Sequence, residues 1–257
     1  MKNTIDKYLI QQKQLRLYIL DGKQIYTKVQ KTALPKRAKN YLMDALNIAA
    51  LLNTLTTTKQ RTTFTFLSAN KQNKLSVEIF SDHHITGNMT FTDDTDTFEN
   101  GRLQSIISID SQFGTSHTSH SLLESDNLYR AIEIYYRRSE QLATYFFPVS
   151  QDKVLLLQPL PFADAHNITE ALTKISSITQ CQSMDIFQQI PQCFPDYQWL
   201  EQMTVSYHCT CSKELFLGLL FALTEEERQK QETLEAQCPL CGKKYFFTPT
   251  EIQHYLQ

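Results

Sequence analysis

The sequence predicts an α+β protein with an N-terminal antiparallel-sheet domain carrying helices, a helical linker, and a small C-terminal domain organised by cysteines. Three observations carry that expectation. Apolar residues recur at helical spacing from Pro35 to about residue 55 and then at a period of two. A run of short amphipathic pieces broken by proline begins near residue 163. Residues 208–257 then hold four of the six cysteines.

Each element follows from local pattern. Residues 14–34 are open to two readings. Leu15, Leu17 and Ile19, then Asp21-Gly22, then Ile25, Thr27 and Val29 alternate as a hairpin would, and a strand followed by a helix is the alternative. Pro35 opens a long helix, because Tyr41, Leu42, Ala45, Leu46, Ala49 and Leu52 share a helical face. From Arg61 to about Ile109 the pairs Phe64/Phe66, Leu75/Val77/Ile79 and Met89/Phe91 mark antiparallel strands. Ser125 and Asp126 are placed to cap a helix bearing Leu128, Ile132 and Tyr135, and strands over Thr144–Val149 and Lys153–Leu160 follow. This domain spans 1–162.

Residues 163–207 form the linker. Asn167 and Glu170 have capping-box spacing ahead of Leu172, Ile175 and Ile178, while Ser183, Pro191 and Pro195 divide the rest into pieces too short to be stable alone. In 208–257, Leu215–Leu223 is a buried-helix candidate, and Thr248-Pro249-Thr250-Glu251 starts a last short helix with Thr248 as cap and Glu251 as capping-box acid.

Composition narrows function. With 25 basic against 27 acidic residues, a net charge of −2 supplies no global field for a polyanion, which argues against nucleic acid. Six glycines in 257 residues leave no material for glycine-rich phosphate cradles. No apolar run reaches the ~18 residues of a membrane helix, and Met1–Ile10 lacks the apolar core and cleavage site of a signal peptide, so a soluble cytoplasmic protein is expected. No enzyme is expected: His83, His84, His117 and His120 lie in polar segments read as solvated loops, and Asp93-Asp94-Thr95-Asp96, without calcium-loop spacing, reads as a solvated turn.

One motif carries chemistry: Cys209-Thr210-Cys211 followed by Cys238-Pro239-Leu240-Cys241-Gly242. Two close pairs deliver four thiolates to one tetrahedral ion, and in a reducing compartment that pattern reads as one zinc ion per chain rather than a disulfide framework. His208 and His254 read as surface or packing residues, and Cys181 and Cys193 as small buried hydrophobes. A zinc-bound thiolate is also what oxidants attack, and Cys-x-Cys sulfurs can bond once metal leaves. A structural zinc and a redox-sensing zinc are both compatible with the spacing. The alternative function is a zinc-ribbon adaptor for nucleic acid or protein, in which Lys243-Lys244-Tyr245-Phe246-Phe247 offers charge and stacking surface, opposed by Glu225-Glu226-Glu227.

Beside these cysteines stand Tyr135-Tyr136-Arg137-Arg138-Ser139-Glu140-Gln141-Leu142-Ala143-Thr144, Val154-Leu155-Leu156-Leu157-Gln158 and, in the long helix, Ala45-Leu46 with Ala49-Ala50-Leu51-Leu52. Together, across nearly the whole chain, they resemble the heat shock protein 33 family of redox-regulated bacterial chaperonins. It looks like a divergent member: Arg16-Leu17, Ser68-Ala69-Asn70-Lys71 and the segment from Ser119 to Asp126 stand where members usually carry glycines. The resemblance also implies a helix over 21–31. It implies that the reduced, zinc-bound form is inactive, and that oxidation forms Cys209–Cys211 and Cys238–Cys241 disulfides and releases zinc. The linker of 163–207 then loosens, homodimers form, and unfolding client proteins are held without ATP. On that reading Ile168, Leu172, Ile175, Ile178, Phe187, Phe194 and Trp199 become client-binding surface; permanent core packing is the other reading of the same residues.

Overall fold

The structure, a computed structural model, describes residues 2–109, 114–180, 186–216, 218, 224 and 233–256. It divides into two compact units, Met1–Tyr207 and His208–Gln257.

In the first unit the chain runs β1 (Asn3–Ile10), β2 (Leu15–Asp21), α1 (Lys23–Gln30), α2 (Lys36–Asn53), β3 (Gln60–Leu67), β4 (Lys74–Phe80), β5 (His84–Thr90), β6 (Arg102–Ile109) and β7 (Thr115–Leu122). It continues with α3 (Leu128–Tyr135), a π turn (Tyr136–Glu140), β8 (Tyr145–Pro148), β9 (Lys153–Pro159), α4 (Ala165–Gln180), α5 (Ile186–Cys193) and β10 (Gln198–Tyr207). The strands form a ten-stranded sheet ordered β7-β6-β3-β4-β5-β10-β1-β2-β9-β8. Its neighbours are antiparallel except β10 and β5, which meet in parallel through Ser206↔His84 and Tyr207↔Ile85.

Within 21–31, Lys23–Gln30 forms the helix α1, against the local hairpin pattern. Leu15, Leu17 and Ile19 already have partners in both β1 and β9, so β2 needs no return strand. Ile25 and Val29, two positions of the alternation, also lie four apart and share the buried face of α1. Fully buried Asn3 fixes this corner: its Nδ2 donates to Val205 O at 2.9 Å and its Oδ1 accepts from Ile25 N at 3.0 Å.

The two halves of the sheet are covered differently. In β2 and β9 alternate side chains enter opposite layers, which is why Leu17-Tyr18-Ile19-Leu20 and Val154-Leu155-Leu156-Leu157 are unbroken apolar runs. Tyr18, Leu20, Val154 and Leu156 pack in the core with α1, α2 and α3. Leu15, Leu17, Ile19, Leu155 and Leu157 pack with α4 and α5. By contrast, β3 alternates buried Phe64 and Phe66 with half-buried Thr63 and Thr65, as a sheet covered on one face requires.

Several capping expectations are corrected. Asn127, not Ser125 or Asp126, caps α3, accepting from Arg130 N at 3.1 Å. Asp126 is engaged by Tyr41 Oη at 2.6 Å and Phe98 N at 2.8 Å. The helix carrying Leu172 begins at Ala165, before Asn167, with Asp164 Oδ1 accepting from His166 N at 2.7 Å.

The polar segments are also more ordered than expected. Asp96 is buried, not solvated; it accepts from Ser68 Oγ, from Asn70 N at 3.0 Å and from Gln72 N at 3.1 Å. It thereby holds a turn in which Lys71 takes a left-handed φ of 63°, a conformation glycine adopts more cheaply. His84 lies on β5, buried and stacked on Phe80 with ring centroids 4.0 Å apart, while His117 and His120 lie on exposed β7. Among the described residues no helix is long and apolar enough to cross a membrane.

Candidate metal centre

The second unit is small and built around sulfur. A short turn (Glu214–Phe216) precedes the antiparallel pair β11 (Leu234–Gln237) and β12 (Lys244–Phe247), followed by α6 (Pro249–Leu256). Among the described residues its buried apolar core is Cys238, Tyr245, Phe247 and Ile252, with Cys209, Cys211 and Cys241 packed against them.

Each half of the cysteine motif is placed by its own chain geometry. The β11–β12 connection is a tight knuckle in which Cys238 N donates to Lys243 O and Gly242 N to Cys238 O, both at 2.9 Å. Gly242 closes it with φ 72°, which a Cβ would strain. Cys209 and Cys211 arrive on the segment that follows Tyr207. All four Sγ atoms lie within 4.8 Å of one another, with Cys209–Cys238 at 3.9 Å and Cys211–Cys241 at 3.4 Å. Thiolates around one ion at ~2.3 Å would stand roughly 3.8 Å apart, so the four residues can hold a metal ion. All four are free thiols, and no other such group occurs among the described residues.

The surroundings treat the thiols unequally. Burial pushes the Cys209 and Cys241 thiols up. Burial acts the same way on Cys211, yet hydrogen bonds from Tyr245 and the neighbouring thiols hold it below its ordinary value. The Tyr245 hydroxyl reaches Cys211 Sγ at 3.1 Å and Cys211 O at 2.8 Å, and its contact with the sulfur pushes the phenol up.

That role of Tyr245 was not visible in the aromatic run, which read as stacking surface. Tyr245 and Phe247 are alternate residues of β12 and point into the core, leaving Phe246 as the exposed aromatic. Lys244 pairs with Glu235 at 2.8 Å, and Lys243 sits over the Tyr245 ring at 4.9 Å. Little of the stacking platform is therefore available. The capping box is present: Thr248 N donates to Glu251 Oε2 at 2.9 Å and Glu251 N to Thr248 Oγ1 at 3.3 Å. Lys213 first, then Thr248, hold the Glu251 carboxyl down at about 2.

The residues expected to release as client surface lie on the α4–α5 side of the first unit or on β10. Ile175, Ile178 and Phe194 are buried, Ile168, Leu172 and Phe187 are packed at the margin, and Trp199 on β10 is 52% exposed. Cys193 is half-buried in the same layer. Leu215 is exposed and Phe216 packs against the core of the second unit, while the remainder of their apolar stretch, like Cys181, Ser183 and Glu225-Glu226-Glu227, falls outside the described residues apart from Gly218. The His254 side chain does too, and His208 is not part of the thiol group.

The fold is shared with a solved structure, the 33 kDa chaperonin of Thermotoga maritima, at a TM-score of 0.79 and 18% identity, covering 100% of this chain and 98% of that one. Curated relatives bear the same name. One from Lactobacillus delbrueckii is 34% identical over 111 residues, 39% of this chain and 38% of the relative. One from Nitrosococcus oceani is 27% identical over 172 residues, 62% of this chain and 59% of the relative. The matched region thus spans between about two fifths and three fifths of these relatives. A model of the Hsp33 protein family matches residues 3–248, from the first strand through both cysteine pairs, and the chain belongs to that family.

Proposed function

We propose that the protein is a redox-regulated, ATP-independent holdase chaperone of the cytoplasm, not an enzyme, with one Zn²⁺ held by Cys209, Cys211, Cys238 and Cys241 in its inactive reduced form. The observation that carries the reading is that the four thiols are the organising centre of residues 208–257. Sulfur donors favour zinc among the available divalent ions, and a bound ion there supplies folding free energy, roughly 10 kcal/mol or more for a structural site.

Oxidation removes the donors. Cys209 with Cys211 and Cys238 with Cys241 each yield one electron pair as their S–S bond forms, and a peroxide accepts each pair and leaves as water. The described core of residues 208–257, in which all four cysteines pack, then loses its metal organiser.

Within 163–207, α4 and α5 are the segments poised to loosen. In α4 the hydroxyls of Thr169, Thr173, Ser176 and Ser177 each bond back to the carbonyl four residues earlier, a pattern that weakens a helix. Pro191 interrupts the bonding of α5. If they lift, Ile168, Leu172, Ile175, Ile178, Phe187 and Phe194 are released together with the sheet face of Leu17, Ile19, Leu155 and Leu157. With Trp199 this makes a contiguous apolar surface suited to unfolding proteins and to a second copy in a homodimer.

The test is to treat reduced, zinc-loaded protein with hydrogen peroxide while following metal release, free thiols and suppression of aggregation of a heat-unfolding client. Loss of four thiols with about one zinc per chain and a gain of client protection is expected. Retained zinc, or protection that is the same before and after oxidation, would overturn the switch. Salt-sensitive nucleic-acid binding would move the adaptor reading forward.

A further inference from the structure

A cleft of about 390 Å³ opens beside α2 in the first unit. Asp44 lies in it, half-buried, with Asn40 one turn earlier on α2. Tyr129 of α3 closes one side, with its hydroxyl beside the Asp44 carboxylate. Met43, Pro148 and Val149 supply apolar wall, and no lysine, arginine or histidine lines the space. The nearby charges are engaged elsewhere: Arg130 pairs with Glu133 at 3.1 Å, and Asp152 accepts from Ser150 Oγ at 2.7 Å.

We propose that this cleft binds a small primary alkylammonium group, with the Asp44 carboxylate taking the cation and Tyr129, Met43, Pro148 and Val149 taking the alkyl body. The donor set favours this over a metal. Hard dications gather six or more oxygens with several carboxylates, whereas here one carboxylate stands among apolar walls, and Asn40 Oδ1 already accepts from Gln151 Nε2 at 3.2 Å. An ammonium needs one charge and gains further from the face of an aromatic ring. The volume falls in the range of small-molecule clefts. Burial pushes the Asp44 carboxyl up to about 6, against the smaller opposing effect of Tyr129, as befits a carboxylate whose counter-charge is not built into the protein.

The reduced full-length protein is titrated with n-butylammonium by calorimetry at pH 7.5 and pH 5, with n-butanol and Mg²⁺ as comparison probes. Saturable binding of the amine is expected at pH 7.5. It should weaken about tenfold at pH 5, where only about a tenth of a carboxyl with that pKa is ionised. D44N, which keeps an oxygen for Tyr129, should abolish it at both values while leaving the circular dichroism unchanged. Equal binding of butanol, binding of Mg²⁺ that displaces the amine, amine binding that survives in D44N, or no saturable binding by the folded wild type would each overturn the assignment. The pH dependence of the wild type decides the matter even if the variant folds poorly.

Discussion

The unit ending at Tyr207 buries two apolar layers on opposite sides of a sheet, whereas the unit beginning at His208 buries Cys238, Tyr245, Phe247 and Ile252 and packs the other three thiols around them. Leu, Ile and Phe side chains stay apolar under all physiological conditions. Thiols do not: ionisation, metal and oxidant each change what they are. If the four thiols hold a metal ion as proposed, the stability of the second unit follows chemistry outside the chain, whereas that of the first does not. Small units with little core commonly need such a staple.

The largest effect should come from breaking that staple. Cys238→Ser, or a strong chelator on the reduced wild type, should remove on the order of 10 kcal/mol of metal-linked stability from residues 208–257. Amide exchange would then accelerate throughout β11, β12 and α6 while β3 and β4 stay protected. Equal loss in both regions would contradict the contrast.

Next in size is the layer between α4 and the sheet. Ile175 is fully buried there, and Ile175→Ala should cost about 3 kcal/mol. Urea denaturation would read this out, and client protection should require less oxidant in the variant.

Asp44 supplies the third effect, inside the well-packed unit. Its folded-state pKa of about 6 lies above the ordinary value of 3.8, so between these values the folded state binds more protons than the unfolded chain. Stability is therefore full below about pH 4 and falls as pH rises through about 6, by roughly 3 kcal/mol in all. Asp44→Asn should stabilise by about 2 kcal/mol at pH 7.5 and by almost nothing at pH 4, as measured by paired denaturation curves. An equal gain at both values would remove the charge as the cause.

The smallest effect concerns the α6 cap. Thr248→Ala should cost about 1 kcal/mol, confined to the second unit. Because Lys213 holds Glu251 down at about 2, the contribution of that carboxylate persists above its unfolded value and fades only as pH falls toward 2. Melting of the second unit between pH 5 and pH 2 would follow it.

Legibility in the sequence depended on range. The thiol centre was readable because each pair is set by residues two or three positions apart, and α2 and β3–β6 because their periodicity is strong. Three strands of the first unit were not readable. β7, Thr115–Leu122, is an edge strand exposed along most of its length, so no apolar alternation marks it. β10 is mostly exposed on its side chains and is a strand because β1, nearly the whole domain away in sequence, lies alongside. β1 has the same dependence in reverse. The same limit applied to Asp96, whose hydrogen bonds to the Ser68–Asn73 turn bridge two polar segments that each look solvated alone.

The central position of β10 has a consequence for biosynthesis. Within this unit β1 is made before every other strand, yet its second partner, in pairs such as Asn3↔Val205 and Ile5↔Met203, is among the last parts of the unit to be made. Until then β1 and β5 are two unpaired edges in a nascent chain whose long-range pairing makes closure slow. A chain stopped before Gln198 would present both edges indefinitely, so truncation upstream of β10 should yield not a smaller soluble domain but an aggregating one.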